Sequence, residues 1–225
     1  MKKTENISKL ERVYTPVVPS PLLVGIKTAH FYEKGFKAIF DFFLSVILLT
    51  GSIPFLVIIA LLIKLDSKGP ILYKQVRLGK DSQQFSLIKF RTMVQNAEHK
   101  SGPIWTKEND PRMTSIGKWL RRFYLDEIPQ LLNVIKGEMS IIGPRPERSF
   151  FVEKLVQEYP SYLDRLSVKP GITGFAQINQ RYDDNISDVK KKLEFDLFYV
   201  KRLNFMFDLK ILMKTVLVMV SGKGR

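Results

Sequence analysis

The sequence feature that most constrains the fold is an almost uninterrupted apolar stretch from Ala38 to Ile63, in which Asp41 is the only ionisable residue. At about 1.5 Å of rise per helical residue, this stretch is long enough to cross the roughly 30 Å hydrocarbon layer of a bilayer. No apolar core follows directly after the first residues of the chain, so a cleaved secretory signal is not expected. The sequence therefore predicts a membrane-inserted helix, to which we assign residues 34–68.

The centre and the flanks of this stretch bear on its topology. Ser52 and Pro54 lie near its middle, and a proline cannot donate to the preceding helical turn, so a kink is expected there. Lysines flank both ends, and positive residues favour the cytoplasmic side of a membrane. Two topologies stay open: a re-entrant helix that enters and leaves on the cytoplasmic face, and a single span with a proline kink.

The composition limits the chemistry that the rest of the chain can perform. Its 36 Lys and Arg residues against 22 Asp and Glu residues give a net charge of +14, which favours an anionic surface, an anionic substrate or nucleic acid as partner. The absence of cysteine excludes a disulfide framework, a thiolate metal site and a cysteine nucleophile, and two histidines argue against a zinc site. Catalysis would then need carboxylates, hydroxyls, lysine, arginine or a hard metal such as magnesium.

Beyond the apolar stretch, the pattern predicts an α/β fold that is mostly helical. Residues 1–33 are polar and proline-marked and are expected to form a flexible arm, while residues 69–225 are expected to form one domain. Strands at 71–79 and 85–93 would form a β-hairpin around Lys80–Ser82. The remaining predictions are helices at 116–123, 128–135 (ended by Gly137) and 149–166, a loop at 169–174, and an amphipathic helix at 207–220 suited to an anionic membrane surface.

Asp126 and Glu127 are the most informative acidic pair, because they stand in the first turn of a predicted helix and follow several basic residues. Helix N-termini favour anions, so plain helix capping is a strong alternative to a catalytic role, and Pro129 fits that alternative. Arg145 follows closely in a loop with a proline on each side. Such a loop holds the guanidinium stiffly, and a guanidinium can bind two phosphate oxygens at once.

Six blocks of sequence share a common order with one known family. They are KAIFDFFLS with the later Ser-Ile-Pro, GPILYKQVRLGK, FSLIKFRTM, DPRMTSIGKWLRR, LDEIPQLLNVIKGEMSIIGPRPE and PGITGFAQIN. Together, over about residues 34–220, they resemble the bacterial sugar transferases, the small monotopic polyprenyl-phosphate phosphoglycosyl transferases. The family's Asp-Glu dyad matches Asp126 and Glu127, and its Pro-Arg-Pro matches Pro144–Pro146. Its helix break at Ser-Pro corresponds to Ser52 and Pro54, with the departure that an isoleucine separates the two.

The resemblance implies a membrane phosphotransferase on the cytoplasmic face of the cell membrane. Such an enzyme moves a hexose-1-phosphate from a UDP-sugar to polyprenyl (undecaprenyl) phosphate, through a covalent aspartyl phosphosugar intermediate and with release of UMP. This would be the first membrane step of exopolysaccharide, capsule or glycan synthesis. Asp126 inherits the nucleophile role and Glu127 a supporting one, and both would bind Mg²⁺. Inner-leaflet lipids are expected as partners and nucleic acid is not, while a homo-oligomer stays open.

Several basic residues are candidates for phosphate contacts. In order of preference they are Arg145, Arg121, then Arg91 and Lys89, with Arg112, Arg77 and Arg122 as further candidates. The alternative is that most of them face an anionic bilayer, each worth on the order of 1 kcal/mol of attraction. Trp105 could stack on a uracil, although a loop aromatic more often covers a core.

Two other functions compete with the transferase. A non-catalytic basic module, anchored by the apolar stretch, would bind acidic lipids or nucleic acid and would not need Asp126 and Glu127. A magnesium-dependent phosphatase or nuclease would share the acidic pair, but it does not account for the membrane segment. Release of free sugar phosphate without a lipid acceptor would favour the phosphatase.

Overall fold

The computed structural model describes residues 32–99, 102–104, 110–180 and 186–220. Residues 1–31 of the predicted N-terminal arm and Trp105 lie outside these residues. The last two residues assigned to the arm, Tyr32 and Glu33, are helical, and Glu33 is buried, so the arm ends earlier than predicted. The helices are α1 (Ala38–Asp66), α2 (Ser115–Arg122), α3 (Leu131–Ile135), α4 (Ser149–Glu158), α5 (Phe175–Asn179), α6 (Ile186–Lys201) and α7 (Phe205–Val220). The strands are β1 (Leu72–Leu78), β2 (Gln84–Phe90), β3 (Ser140–Ile142) and β4 (Gly171–Thr173). The predicted class, α/β with a helical majority, is confirmed.

Helix α1 contains the predicted apolar stretch and continues a π-helical turn at Glu33–Lys37. Together they form the one helix, within the described residues, that is long and apolar enough to cross a membrane. The helical conformation runs through Ser52 and Pro54, where the Ser52 hydroxyl donates to the Leu49 carbonyl at 2.9 Å. Most side chains in its middle are exposed, so the domain itself does not cover this apolar surface.

Both ends of α1 pack on the rest of the domain. At the N-terminal end, the Lys37 ammonium lies 2.6 Å from an Asp208 carboxylate oxygen, and the Ser140 hydroxyl donates to Asp41 at 2.6 Å. At the C-terminal end, Ile63 packs in a buried cluster with Phe90 and Leu120 of neighbouring elements. The exposed middle of α1 therefore lies between two anchored ends.

The β-hairpin is confirmed, with β1 and β2 antiparallel and paired from Leu72 opposite Phe90 to Leu78 opposite Gln84. Its turn is a 3₁₀ helix at Lys80–Ser82, in which Asp81 and Ser82 have positive φ angles of 52° and 61°. Short polar side chains tolerate this left-handed region better than branched ones do. Strand β2 is covered on both faces, because Phe85 and Leu87 pack in the main core while Ile88 and Phe90, on the opposite face, are also buried.

Two sequence predictions need correction downstream of the hairpin. The helix predicted over 149–166 ends at Glu158, and a 3₁₀ helix follows at Pro160–Ser167. Tyr159 is extended between them (φ −125°, ψ 91°), because the residue before a proline is disfavoured in the helical region. The predicted loop at 169–174 contains β4, which pairs in parallel with β3.

The β3–β4 pair lies inside the main core, between β2, α3, α6 and α7. Glycine is required where the two strands approach, because a Cβ atom on Gly171 would lie 2.0 Å from the Gly143 nitrogen. Gly137 ends the short helix as predicted, with a left-handed φ of 77° and its N–H on the Val134 carbonyl at 2.8 Å. Strand β3 then leads directly into the loop that carries Arg145.

Candidate active site

Asp126 and Glu127 lie on a 3₁₀ helix at Leu125–Gln130 that runs into α3, not in the first turn of a single α-helix. The chain enters this element through Tyr124, which has a left-handed φ of 57°. Both acidic residues are buried, with 4% and 6% of their surfaces exposed. Carboxylates are costly to bury without compensation, so their partners decide what the pair can do.

Glu127 is held between two cations. Arg145 donates through both terminal nitrogens, Nη2 to Oε1 at 2.6 Å and Nη1 to Oε2 at 3.2 Å, and Lys89 Nζ lies 2.8 Å from Oε1. Burial acts to raise the pKa of Glu127, but Arg145 and Lys89 outweigh it and hold that pKa well below its usual range. Glu127 is therefore an ionised carboxylate with a fixed orientation, and helix capping does not describe its contacts.

Asp126 differs from its neighbour. Within the part of the chain that the structure describes, its carboxylate has no hydrogen-bond donor, although Lys89, Arg121 and Arg145 lie near enough to attract it electrostatically. Burial raises the pKa of Asp126, with the charge of Glu127 acting in the same direction. An acid without hydrogen-bonded partners, next to several cations, has oxygens free to react with or bind a ligand.

Lys89 and Arg121 complete the positive surroundings of the dyad. Burial lowers the pKa of Lys89 to about 8, against the opposing attraction of Glu127. The Arg121 Nε donates to the Thr92 hydroxyl at 3.0 Å, which fixes its side chain on the neighbouring β2 end. Thr92 was not among the sequence candidates, because nothing local to it indicates a partner in α2. These cations make the site suited to an anionic substrate.

The other basic candidates lie elsewhere. Arg91 caps the end of α1, with Nη2 at 2.6 Å from the Ser67 carbonyl oxygen. Arg112 pairs with Asp110, with Nε at 2.8 Å from Oδ1. Arg77 donates to the Pro146 carbonyl oxygen at 3.1 Å, in the loop that carries Arg145. Phosphate binding by these residues stays a prediction.

The dyad can be judged as a magnesium site from its own donors. Among the described residues, no cluster of three or more His, Cys, Asp or Glu side chains could hold a metal ion. Mg²⁺ is usually held by one or two carboxylates together with substrate phosphates and water, so a full protein cage is not required. Asp126 offers oxygens without hydrogen-bonded partners, while both oxygens of Glu127 are engaged. The residues present fit a site that phosphate oxygens complete, with Asp126 as the open ligand.

Comparison of the sequence with known proteins finds a matching family. The family model described as bacterial sugar transferase matches residues 32–222. The UDP-N-acetylgalactosamine-undecaprenyl-phosphate N-acetylgalactosaminephosphotransferase of Aeromonas hydrophila is 38% identical over 208 residues, covering 92% of this chain and 47% of the relative. The UDP-glucose:undecaprenyl-phosphate glucose-1-phosphate transferase of Escherichia coli K12 is 42% identical over 214 residues, covering 93% of this chain and 45% of the relative.

A shorter relative matches over nearly its whole length. The exopolysaccharide production protein PSS of Rhizobium leguminosarum bv. phaseoli is 41% identical over 197 residues, covering 84% of this chain and 97% of the relative. The chain thus spans less than half the length of the first two relatives and almost all of this third one. The shared region includes the dyad, the Arg145 loop and α1.

Proposed function

Since the chain belongs to the bacterial sugar transferase family, we propose that it is a phosphotransferase that moves a sugar 1-phosphate from a UDP-sugar to undecaprenyl phosphate. The observation that carries the proposal is the asymmetry of the dyad. Glu127 is held by two cations, whereas the oxygens of Asp126 have no hydrogen-bond donor among the described residues. This difference supports Asp126 as the nucleophile and Glu127 as the residue that orients the surrounding cations.

In the first step, a carboxylate oxygen of Asp126 attacks the phosphorus that bears the sugar. The new Asp126–phosphorus bond forms as the bond to the bridging oxygen breaks, so UMP leaves and the sugar phosphate stays on the enzyme. The attacking carboxylate must be ionised, although burial raises the pKa of Asp126. The positive charges of Lys89, Arg121 and Arg145 favour the ionised form of Asp126. They would also stabilise the negative charge that develops on the diphosphate.

Arg145 supplies a second function at the donor phosphates. Its contact with Glu127 uses the two terminal nitrogens and fixes the plane of the guanidinium, while other N–H groups of the five stay available for phosphate oxygens. Asp126, with Glu127 beside it, would hold Mg²⁺ together with the diphosphate. When bound there, the ion would neutralise phosphate charge as a Lewis acid.

In the second step, a phosphate oxygen of undecaprenyl phosphate attacks the same phosphorus. The bond between phosphorus and Asp126 breaks, and the carboxylate is regenerated. Dividing the transfer in this way lets a water-soluble donor and a lipid acceptor use one site in turn. The acceptor phosphate stays at headgroup depth, which requires the dyad to lie close to the membrane surface.

The anchoring of α1 supports the re-entrant topology, with the domain on the cytoplasmic face. Lys37 and Asp41 at one end and Ile63 at the other contact the same domain, and a simple span would separate the two ends by the bilayer. The chain has no cysteine, so single cysteines at Lys34 and Ser67 can be labelled uniquely. An impermeant maleimide applied to intact cells should label neither site, and both should react after permeabilisation. Labelling of either site from outside would refute re-entry and leave a true span.

Mass spectrometry tests the reaction. The purified protein in detergent is mixed with magnesium and a panel of UDP-sugars, without a lipid acceptor. We expect a sugar-phosphate mass on the peptide that contains Asp126, one UMP released per enzyme, and loss of the adduct on addition of undecaprenyl phosphate. No adduct and no UMP with any donor would favour the non-catalytic module. Free sugar phosphate that accumulates without acceptor would favour the phosphatase.

A further inference from the structure

The loop that carries Arg145 is fastened through its carbonyl groups. The Pro144 carbonyl accepts from Gly171 N at 2.9 Å, the Pro146 carbonyl from Arg77 Nη1 at 3.1 Å, and the Glu147 carbonyl from Leu78 N at 3.0 Å. Pro144 and Pro146 have no N–H to donate, so acceptor contacts are the main way to fix this loop. β4 and β1 supply these three donors.

The remaining carbonyl, that of Arg145 itself, accepts from a buried side chain. Arg165 Nη2 donates to it at 2.7 Å, from the 3₁₀ helix that follows α4. Arg165 is 1% exposed, and Asp196 of α6, equally buried, accepts from its Nε at 2.8 Å and lies 2.7 Å from its Nη2. The guanidinium plane is thus set by the Asp196 carboxylate, and one N–H is aimed at the backbone of Arg145.

We infer that Arg165, held by Asp196, is a positioning residue for Arg145, and that its contact with the Arg145 carbonyl sets the direction in which the Arg145 side chain meets the donor diphosphate. This inference rests on the proposed function. The polar partners of the Arg165 guanidinium are Asp196, Tyr162 and the Arg145 carbonyl, and neither carboxylate of the dyad is among them. Arg165 acts through one backbone hydrogen bond, and a small rotation of that peptide unit would move a guanidinium several bonds away.

The pairing of Arg165 with Asp196 is better explained by the positioning of Arg145 than by a contribution to stability alone. A buried ion pair contributes little over well-packed apolar residues, because the desolvation cost offsets the attraction. A donor that must reach a particular carbonyl, in contrast, needs a long side chain with several N–H groups in one plane. Arg165 has this geometry, and the Tyr162 ring lies against it at 5.1 Å from the guanidinium carbon.

The test uses a paired replacement, Arg165→Met with Asp196→Leu, in the full chain. Removing both charges avoids leaving one of them buried alone, so folding is retained while the donor to Arg145 is lost. The rate of UMP release from a UDP-sugar is measured as a function of donor concentration, with magnesium and with undecaprenyl phosphate present so that the enzyme turns over. We expect kcat and kcat/KM to fall together by roughly 10- to 100-fold, because a misdirected guanidinium loses its contact in the transition state.

A double-mutant cycle with Arg145→Lys separates positioning from a general structural role. In the Arg145→Lys background, there is no guanidinium at position 145 to be positioned. Adding the paired replacement there should therefore lower the rate of UMP release by less than about threefold further. Arg165→Lys provides a second variant, which keeps the cation beside Asp196 with a shorter reach and should retain intermediate activity. Val152→Ala, in the apolar cluster near the same 3₁₀ helix, is the matched control. It should lower the melting temperature while UMP release below that temperature stays within about twofold of wild type.

The outcomes are distinguishable. The positioning role would be overturned if the paired replacement lowered the rate of UMP release by the same factor in wild type and in Arg145→Lys. A folded paired variant with wild-type kcat would also overturn it. Intermediate activity of Arg165→Lys, together with non-additivity with Arg145→Lys, would support it. A wild-type protein that releases no UMP with any donor would instead overturn the proposed function, whatever the Arg165 variants do.

Discussion

The middle of α1 and the surroundings of Glu127 depart from the usual distribution of side chains in opposite directions. Along α1, large apolar residues such as Phe43, Ile47 and Ile53 are exposed, with no polar surface to shield them. Around Glu127, two basic side chains and two carboxylates are withdrawn from water. Each arrangement would be unfavourable in an isolated soluble domain.

The two departures call for different partners. An apolar helix with an exposed middle is stabilised by a hydrocarbon phase, which removes its apolar surface from water without specific contacts. A buried cluster of charges is stabilised by a ligand that completes its pairing. In the proposed function, the donor diphosphate would supply negative charge to Lys89, Arg121 and Arg145, which surround Asp126. In the proposed function, the first region would thus set the place of the reaction, and the second would set its chemistry.

The largest expected effect separates chemistry from stability in the charged region. Asp126→Asn should reduce sugar-phosphate transfer by about 10⁴-fold or more, because it removes the attacking oxygen. Since burial raises the pKa of Asp126, the ionised carboxylate destabilises the folded state at neutral pH, and the neutral asparagine should leave the melting temperature unchanged or raise it. Rates are measured by UMP release and stability by thermal unfolding in detergent.

Glu153→Gln is the control for Asp126→Asn, because Glu153 is an exposed acid of α4 away from the dyad. It should leave both rate and stability unchanged. Full activity of Asp126→Asn would remove Asp126 from the nucleophile role and leave its burial without a chemical explanation.

The next prediction addresses the apolar region. Ile53 is 52% exposed near the middle of α1, and Ile53→Lys should weaken membrane partition by about 3 kcal/mol, because a charge at the bilayer centre costs about that much. Leu65→Lys is the matched control, since Leu65 is 84% exposed at the end of the helix, where a lysine can reach the headgroups. Carbonate extraction and flotation of membranes measure the partition. Equal retention of both variants would place the middle of α1 outside the hydrocarbon layer.

The two regions differ in how much of them could be predicted from the sequence, and the reason is physical. The apolar helix could be predicted from composition alone, because membrane partition depends on hydrophobicity summed over a window. The structure begins it at Ala38 and ends it at Asp66, close to the predicted 38–63 stretch. Likewise Asp126, Glu127 and Arg145 could be selected because they form short local motifs.

Contacts between distant segments could not be predicted in the same way. Lys89 meets Glu127 across 38 residues, and that contact depends on how the hairpin packs against the 3₁₀ helix. Arg91 shows the opposite case: a guanidinium suits phosphate and a helix end equally well, and its sequence position does not distinguish them. The break at Tyr159 was predictable in principle, because Pro160 restricts it. Strand β4 was not, because three residues become a strand only beside β3.

A third prediction tests whether pairing stabilises a second buried acid, outside the surroundings of Glu127. Glu147 lies between Arg77 and Lys192, at 3.4 and 3.1 Å, and although burial acts to raise its pKa, these cations lower it to about 2. Its ionised form therefore adds stability that is complete above the unfolded pKa near 4.5 and is lost as the pH falls towards 2. Glu147→Gln should lower the free energy of unfolding by about 3 kcal/mol at pH 7, with a smaller difference at pH 3.

Chemical denaturation of wild type and Glu147→Gln at several pH values measures this difference. Glu158→Gln is the control, because Glu158 is an exposed acid at the end of α4. A difference between wild type and Glu147→Gln that is constant from pH 7 to pH 3 would show that the glutamate contributes by packing and not by charge.

The smallest expected effect lies on α7, which contacts the N-terminal end of α1 through Asp208 and Lys37. Lys210 and Lys214 are exposed and stand four residues apart, beside exposed apolar side chains such as Met213 and Leu217. If α7 rests on an anionic leaflet, each lysine contributes on the order of 1 kcal/mol, so Lys210→Gln with Lys214→Gln should weaken binding to anionic vesicles by roughly 30-fold. The loss should shrink with rising salt and vanish on neutral vesicles, because attraction between exposed charges is screened. Lys190→Gln with Lys191→Gln, two exposed lysines of α6, lowers the net charge by the same two units and serves as the control. An equal loss from both pairs would mean that overall charge, and not the placement of α7, governs the contact with the membrane.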